Sequence, residues 1–194
     1  STVTSPTLQA TIEAFLQPFA DARHISFDAV SSSAILDAHE KTHGARVLPH
    51  YQLDQAQVIV AFGADFLGTW ISPVEFTAAW RTRRVPTVNK PEMSYHIQLE
   101  GRMSLTGSNA DERFLVLPDE LGPVLSQLAA RLARNRGGAA TAIPLSNPPV
   151  PAAVLDRLAE RLWQARGRSL VLCGSQDVEV QMQANFVNDL LGAY

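Results

Sequence analysis

The feature that most constrains the fold is an apolar strand that runs directly into a glycine turn. Residues 57–70 read QVIVAFGADFLGTW. Parallel strands that are buried on both faces need continuous β-branched and apolar residues, and α/β sheets hold ligands beyond the carboxyl ends of such strands. Residues 169–174 form a second run of this kind and end in glycine. The sequence therefore predicts an α/β, Rossmann-like, three-layer parallel sheet with a crevice beyond Gly63 and Gly174.

Helical and strand patterns alternate along the rest of the chain. Apolar spacing predicts helices over 7–17, 31–43, 73–83, 120–135, 152–166 and 177–191. Strands are predicted over 24–30, 58–61, 113–118 and 169–174, and the alternating segment 93–100 is either a strand or a long functional loop. Gly44 provides a left-handed exit for the second helix. Ser72, Pro73 and Glu75 form an N-cap, first-turn proline and capping-box pattern for the third.

The composition of the chain suggests one α/β domain in two parts. Residues 1–136 form a first lobe, residues 137–151 are a linker rich in Gly, Ala, Ser, Asn and Pro, and residues 152–194 are a second strand–helix unit that completes the domain. The first predicted element is a helix with no strand before it. Because an α/β unit normally begins with a strand, we expect a domain excised from a larger subunit.

Charge and cysteine content exclude several classes of function. The 194 residues carry a formal charge of -3, and a chain with this acidic balance does not fit a dedicated nucleic-acid binder. Cys173 is the only cysteine, so this chain alone cannot form an internal disulfide, an iron–sulfur cage or a Cys-rich zinc site. No apolar run approaches the roughly 18 residues of a membrane helix, and we expect no leader segment.

Three segments of the chain carry a resemblance to a known family. They are DFLGTWISPVE at 65–75, EGRMSLTGSNADE at 100–112 and LVLCG at 170–174. Together they resemble the molybdopterin oxidoreductase (DMSO reductase) superfamily. Within it, the chain is most similar to the large iron–sulfur subunit of bacterial alternative complex III, a respiratory quinol-oxidising assembly. The resemblance covers nearly the whole chain, in order.

Two turns depart from the pattern of the catalytic members of this superfamily. There, a Gly-x-Asn-Pro turn and a later Ala-Asp…Pro-Gly-Thr-Asp segment help hold a bis(molybdopterin guanine dinucleotide). Here the first turn reads GADF from Gly63, and the second reads Ala110-Asp111…PDELG from Pro118. Asp65 in place of Asn removes an amide donor and adds negative charge where a pyrophosphate would lie. The resemblance thus favours the complex III-like branch, whose corresponding domain holds no pterin and whose iron–sulfur clusters lie elsewhere in the subunit.

The resemblance implies a non-catalytic domain with a structural role in respiratory electron transport. It implies a place on the periplasmic side of the bacterial inner membrane. There the domain would contact other domains of its parent subunit and other respiratory subunits, without nucleic acid or direct membrane insertion. We expect no catalytic residues and no activity of this part alone. The alternative is a domain that binds molybdopterin guanine dinucleotide within an active molybdenum oxidoreductase. In either case, the residues expected at the crevice are Gly63, Asp65, Thr106, Ser108, Asp111, Gly174 and Ser175.

A third function would use the sequence HEKTH at His39–His43, which matches the zincin pattern His-Glu-x-x-His. Two imidazoles at i and i+4 on a helix can share a zinc ion, with Glu40 as general base. Against this hydrolase, Gly44 ends the helix at once, Lys41 places a cation inside the motif, and no third ligand follows. We therefore expect a solvated helix end and no metal at these histidines.

The loop after the alternating segment has two interpretations. Tyr95, His96, Glu100 and Arg102 bring polar groups together beside Ser104–Asn109, whose amides and hydroxyls can bind an anion. Such a loop can equally be an internally hydrogen-bonded turn, and polar loops are usually satisfied in this way. We expect the structural turn.

Two further features have a structural and a chemical interpretation. Cys173, at the end of a strand, is expected to be a small buried side chain rather than a nucleophile, because no base is evident beside it. Arg81, Arg83, Arg84 and Lys90 cluster at a helix end. We expect them to be solvated there, since cations favour helix C-termini, rather than to clamp a phosphate.

Overall fold

A computed structural model describes residues 5–28, 31–89, 91–138 and 141–194. The chain divides into two compact units, Ser1–Ser31 and Ser32–Tyr194. The first unit contains α1 (Pro6–Leu16), which ends before Pro18 as its sequence predicts. The strand predicted over 24–30 is wrong for residues 24–28, which form neither helix nor strand. A strand needs a neighbouring strand for its backbone groups, and the described sheet includes no strand from this segment. Residues 1–4 and 29–30 of these predictions lie outside the described residues.

The second unit is a four-stranded parallel sheet surrounded by helices. Its elements are α2 (Ser33–His43), β1 (Val58–Phe62), α3 (Pro73–Arg84), β2 (Tyr95–Glu100), α4 (Leu105–Ser108), β3 (Glu112–Leu115), α5 (Leu121–Asn135), α6 (Ala152–Gln164), β4 (Ser169–Cys173) and α7 (Val178–Leu191). The strand order is β3-β2-β1-β4. Central strand β1 places Val60 opposite Ile97 of β2 and Val171 of β4. The predicted α/β, Rossmann-like fold is confirmed.

Apolar side chains cover both faces of the sheet and create three layers. On one face, α5, α6 and α7 pack against Val60, Ile97 and Val171. On the other face, α3 and residues 51–56 pack against Ile59 and Ala61. β1 is buried at every position because both of its faces are covered, as its continuous apolar sequence requires.

The segment predicted as a linker, 137–151, joins α5 to α6 within one hydrophobic core. Helices α5 and α6 pack together, and β4 lies directly beside β1 in the same sheet. Residues 139–140 of this segment lie outside the described residues. Within the described ranges, no helix is long and apolar enough to cross a membrane.

The helix ends follow the predicted positions but not always the predicted chemistry. Gly44 ends α2 with a left-handed φ of 73°, as expected. Ser72 precedes α3 without a side-chain cap bond, and Glu75 instead bonds His50 Nε2 at 2.7 Å. Just before it, Ile71 has a φ of 55°, in a region that a β-branched residue rarely adopts. The turn that leads from the crevice into α3 is therefore strained.

Candidate functional site

A crevice of about 690 Å³ lies beyond the carboxyl ends of β1, β2 and β4. This is the place where open parallel sheets hold their ligands. It is lined by Gly63, Asp65, Thr69, Glu100, Gly101, Arg102, Ser104, Leu117, Pro118, Leu121, Gly174, Ser175 and Gln176. Of the seven residues predicted for the site, Gly63, Asp65, Gly174 and Ser175 are in this lining.

The two glycines at the crevice floor let the ends of β1 and β4 approach closely. A Cβ atom on Gly174 would lie 2.3 Å from the carbonyl oxygen of Gly63, closer than atoms can come without displacement. The amide of Gly63 donates to Leu99 O at 2.8 Å, and the amide of Gly174 donates to Phe62 O at 2.8 Å. Both glycine amides are therefore engaged by the sheet and are not directed at a ligand.

Asp65 is held in place by Thr106. Its Oδ1 accepts hydrogen bonds from the Thr106 hydroxyl at 2.7 Å and the Thr106 amide at 3.1 Å, while its Oδ2 accepts from the Thr69 hydroxyl at 3.1 Å. The fully buried Thr106 Oγ1 also accepts from the Leu67 amide at 2.9 Å. Burial opposes the charged form, but these donated hydrogen bonds hold the pKa of Asp65 below its ordinary value. Asp65 is thus an ionised carboxylate with its oxygens already bonded.

Glu100 is a second carboxylate at the crevice, and its side chain is almost fully buried. Its Oε1 accepts from Arg113 Nε at 2.7 Å and from the Ser104 amide at 3.0 Å. Its Oε2 accepts from the Ser104 hydroxyl at 2.6 Å and from Gln98 Nε2 at 3.2 Å. Burial again opposes ionisation, and the bonds from Ser104 and Arg113 lower the pKa of Glu100. Four donors therefore surround one buried anion.

The loop at Ser104–Gly107 directs its amides at these side chains. The Thr106 amide bonds Asp65, and the Gly107 amide donates to Ser104 Oγ at 3.0 Å. Gly107 lies so close to Glu100 that a Cβ there would stand 1.9 Å from Oε1. The predicted internally hydrogen-bonded turn is confirmed for this part of the loop, where the amides of Ser104, Thr106 and Gly107 donate within the chain.

The three other predicted site residues, Thr106, Ser108 and Asp111, are not in the lining. Thr106 lies behind Asp65, as described above. Ser108 is exposed at the end of α4 and donates to Leu105 O at 2.9 Å. Asp111 forms a two-point ion pair with Arg84, at 2.6 and 2.9 Å. Ser175 faces the crevice and its hydroxyl accepts from the Asp177 amide at 3.1 Å. The structure brings Asp65 and Thr106 together and places Ser108 and Asp111 elsewhere.

The crevice contains charges of both signs, because Glu100 forms an ion pair with Arg113 at 2.7 Å. Asp65 and Glu100 are both ionised, and Arg102 is the cation of the lining among the described residues. The nearby first turn of α7 carries Asp177, which accepts from the Glu179 amide at 2.8 Å, so that helix N-terminus is already capped by an acid. An anionic ligand would meet repulsion from Asp65, because like charges at short range raise the free energy of binding.

Sequence reasoning missed Arg113 and Gln98, which complete the shell around Glu100. The alternation of side chains along a strand could have indicated that Gln98 lies near Glu100, because residues 98 and 100 share one face of β2. Arg113 belongs to the neighbouring strand β3 and lies opposite Gln98 of β2. Its position next to Glu100 depends on strand register, which a single sequence does not specify.

The histidines of the zincin pattern pack against each other and against the carboxyl end of the chain. The His39 and His43 rings stack with centroids 5.0 Å apart, and Tyr194 lies edge-on to His43 at 4.6 Å. The solvated helix end is wrong for His39, which is buried, and burial followed by the neighbouring His43 lowers its pKa. In the described part of the chain, no group of three or more His, Cys, Asp or Glu is placed to hold a metal ion.

Cys173 and the arginine cluster have structural roles. Burial raises the pKa of the Cys173 thiol to about 12, as expected of a small buried side chain. The predicted solvated helix end is wrong for two arginines of α3. Arg83 Nε donates to Asp54 O at 3.0 Å, and Arg84 donates to Asp111 and to Ser94 O with only 14% of its side chain exposed. Lys90 of the same prediction lies outside the described residues.

Comparison with known proteins does not indicate a function for this chain. No protein-family model matches the chain, and no curated protein matches its sequence. The crevice combines an α/β ligand position with two ionised carboxylates and with amide donors that are bonded internally. The function of the chain therefore depends on what this combination of groups can bind.

Proposed function

We propose that this chain is a non-catalytic, molybdopterin-oxidoreductase-like domain of a respiratory iron–sulfur subunit. Its role is structural, within a quinol-oxidising electron-transfer complex on the periplasmic side of the bacterial inner membrane. The domain packs against other domains of the parent subunit and against neighbouring respiratory subunits. Iron–sulfur clusters of the parent lie outside this chain, whose single cysteine is buried.

The observation that carries the proposal is the internal bonding of Asp65 and Glu100. A pyrophosphate is held by free amides, hydroxyls and cations at the end of a parallel sheet. In this crevice the amides of Thr106 and Gly107 bond to side chains of the same chain. The carboxylate of Asp65 stands where a cofactor needs positive charge. This arrangement fits a structural domain that retains a nucleotide-binding fold but has no anion-binding site.

The alternative is a domain that binds molybdopterin guanine dinucleotide as part of an active oxidoreductase. The crevice volume and the close approach of Gly63 and Gly174 favour it, because glycines at strand ends let a ligand approach the backbone. The negative charge of Asp65 opposes it. GDP, which contains the guanine and pyrophosphate of that cofactor, is a direct probe of this alternative.

Calorimetry with GDP tests the two functions on the purified chain. We expect no saturable binding up to millimolar GDP, because Asp65 repels the pyrophosphate and the amides of Thr106 and Gly107 are bonded within the chain. Asp65→Asn is the matched variant, since it removes one charge and preserves the size of the side chain. Saturable micromolar binding to the unaltered chain would contradict the proposal and support the alternative.

Turnover of the parent complex tests the structural role. Arg102→Ala removes the cation of the crevice lining, and we expect quinol oxidation per assembled complex to stay within about twofold of the original. Thr106→Val weakens the internal network, and we expect less assembled complex with the same turnover per complex. A tenfold loss of turnover for Arg102→Ala at normal assembly would place chemistry in the crevice and reject the structural role.

A further inference from the structure

The helix of the first compact unit has an exposed apolar face. None of the residues of α1, Pro6–Leu16, is buried. Leu8, Ile12 and Phe15 lie at positions i, i+4 and i+7, so their side chains form one stripe along the helix. Leu8 is 50% exposed and Phe15 is 69% exposed. In a folded protein such a stripe normally packs against another apolar surface.

The exposed apolar surface continues beyond the helix. The Phe19 amide donates to Leu16 O at 2.9 Å, and the Phe19 ring lies 5.8 Å from the Phe15 ring, measured between centroids. Phe19 thus extends the stripe by one residue, and the segment after it exposes two more large apolar side chains, Ile25 and Phe27. Large apolar side chains that are exposed together mark interaction sites. We call the set Leu8, Ile12, Phe15 and Phe19 the α1 stripe.

A helix as short as α1 needs a surface to pack against. Isolated helices of fewer than about 12 residues are marginal in water, and most helical stability in proteins comes from the packing of an apolar face. α1 has 11 residues. Its side-chain support is local, with the Ser5 cap bond at 3.4 Å and the bond from Gln9 to Glu13 at 3.1 Å. Because such local bonds contribute little, the stability of α1 depends on a cover for its stripe.

The charges of this segment do not fit a lipid surface as the cover. Helices that lie on membranes carry Lys and Arg on their polar face, which attract anionic lipids. α1 contains neither residue, and its one charged side chain is Glu13. Residues 5–28 carry three acids, Glu13, Asp21 and Asp28, against one cation, Arg23. An anionic bilayer would therefore repel this segment.

A second copy of the chain matches the stripe in shape and in charge. In an antiparallel pair with its two-fold axis near Ile12, the Phe15 end of one stripe meets the Leu8 end of the other. This arrangement sets a bulky residue against a smaller one at each end and orients the two helix dipoles in opposite directions, which is favourable. Glu13 lies about 140° around the helix from Leu8, at 100° per residue. The pair therefore does not bring the two Glu13 side chains face to face.

The exposed apolar area is sufficient for a weak dimer. Phe15, Phe19 and Phe27 are 69%, 55% and 78% exposed, and a buried aromatic side chain removes about 150–250 Å² from water. With Leu8 and Ile25, the segment offers roughly 600 Å² of apolar surface per chain. Two copies can thus bury about 1,200 Å² in total, which is the lower limit for a stable protein interface.

We propose that the α1 stripe is the interface of a homodimer, in which α1 of one chain packs antiparallel against α1 of a second copy. Since the area is at the lower limit for a stable interface, the dissociation constant is on the order of 10 µM. This interface does not depend on the proposed function, because it uses exposed side chains of the first unit and none of the crevice residues.

Sedimentation velocity of the purified full chain tests the dimer. Between about 1 and 200 µM, a range that brackets the expected dissociation constant, we expect the dimer fraction to rise with concentration. Phe15→Glu should remain a monomer over this range, because it places a charge in the stripe. Gln17→Glu is the matched control, since it adds the same charge on the opposite side of the helix, and it should dimerise like the original. A monomeric original chain, or equal dimer fractions in the original and in Phe15→Glu, would overturn the proposal.

Disulfide formation between copies tests which face of α1 lies in the interface. Because Cys173 is buried, an added cysteine on α1 is the accessible thiol of the chain. With oxidised glutathione, we expect Ile12→Cys to form disulfide-linked dimers at least tenfold faster than Gln17→Cys. Equal rates would contradict an interface at the stripe. A monomeric chain that sediments with vesicles of phosphatidylcholine and phosphatidylglycerol would identify lipid as the cover and would also overturn the proposal.

Discussion

Asp65 and Thr106, which are 41 residues apart in the chain, are joined through both the hydroxyl and the amide of the threonine, at 2.7 and 3.1 Å. This contact fixes α4 over the turn that follows β1. The same threonine hydroxyl accepts from the amide of Leu67. One buried side chain thus connects the first crevice turn, the helix α4 and the carboxylate that gives the crevice its charge.

Replacement of Thr106 by valine should destabilise the protein by about 2 to 3 kcal/mol. The change preserves the volume but leaves the buried Leu67 amide without a partner, and unsatisfied buried donors carry costs of this size. Thr69→Val is the matched control, because Thr69 is exposed and makes one bond of 3.1 Å to Asp65. We expect it to cost about 0.5 kcal/mol or less. Urea denaturation of both variants measures the difference, and equal losses would show that Thr106 has no special role.

Asp65→Asn should have a much smaller effect than Asp65→Ala. An asparagine oxygen can still accept from Thr106, and its amide can donate to the Thr69 hydroxyl. We expect a loss of about 1 kcal/mol for Asn and about 3 kcal/mol for Ala, which leaves both Thr106 donors unpaired. Chemical denaturation at pH 7 compares them. A loss of several kcal/mol for Asp65→Asn would mean that the negative charge itself holds the turn.

Gly174→Ala should cost about 3 kcal/mol or more, because its Cβ would stand 2.3 Å from the carbonyl oxygen of Gly63, a backbone atom that cannot turn aside as a flexible side chain can. Gly138→Ala is the matched control. Its Cβ would meet its nearest atom at an ordinary 3.5 Å, so we expect a change of under about 0.5 kcal/mol. Thermal unfolding of the two variants tests the close approach of β1 and β4. Similar melting temperatures would contradict it.

The free energy of unfolding should decrease as the pH falls from about 6.5 toward 4. The unfolded chain binds a proton at His96 near pH 6.5, whereas the folded chain does so only near its pKa of about 4. In this window the unfolded state binds more protons, so stability is present above pH 6.5 and is lost below it. The shift corresponds to a loss on the order of 3 kcal/mol. His39, whose pKa is also lowered, adds to it in the same direction.

Denaturation curves at pH 7, 6, 5 and 4 measure this dependence. Asp65, Glu100 and Asp111 have lowered pKa values and lose their contributions only at still lower pH, as they become protonated. His96→Phe should flatten the curve between pH 6.5 and 4. Stability that stays constant over that range in the original chain would show that the buried ring is not held neutral.

The sequence predicted the sheet and the place of the crevice because these depend on local patterns. The continuous apolar run before Gly63 and the run before Gly174 identify β1 and β4, and their ends define the floor of the crevice. The left-handed residue that ends α2 was likewise predicted from Gly44 alone. Helix periodicity gave α5, whose apolar stripe packs on the sheet as expected.

What the sequence did not provide were the partners of the polar side chains. Glu75 fits a capping box, yet it bonds His50, which lies 25 residues earlier in the chain. Arg84 was expected in solvent, but strand order brings Asp111 to it. These contacts depend on register and on loop paths, which arise from the packing of distant segments. The polar face of β2 was visible as an alternation, but its burial depended on the position of α3.

The most direct test of the proposed function is a pterin and molybdenum analysis of the purified respiratory complex in which we propose that this chain takes part. Oxidation of the denatured complex converts any bound pterin to a fluorescent product, and mass spectrometry measures molybdenum and zinc in the same sample. Because Asp65 and Glu100 are ionised and the loop amides are engaged, the account predicts no molybdenum and no pterin attributable to this subunit. A stoichiometric pterin guanine dinucleotide bound to the subunit would contradict it.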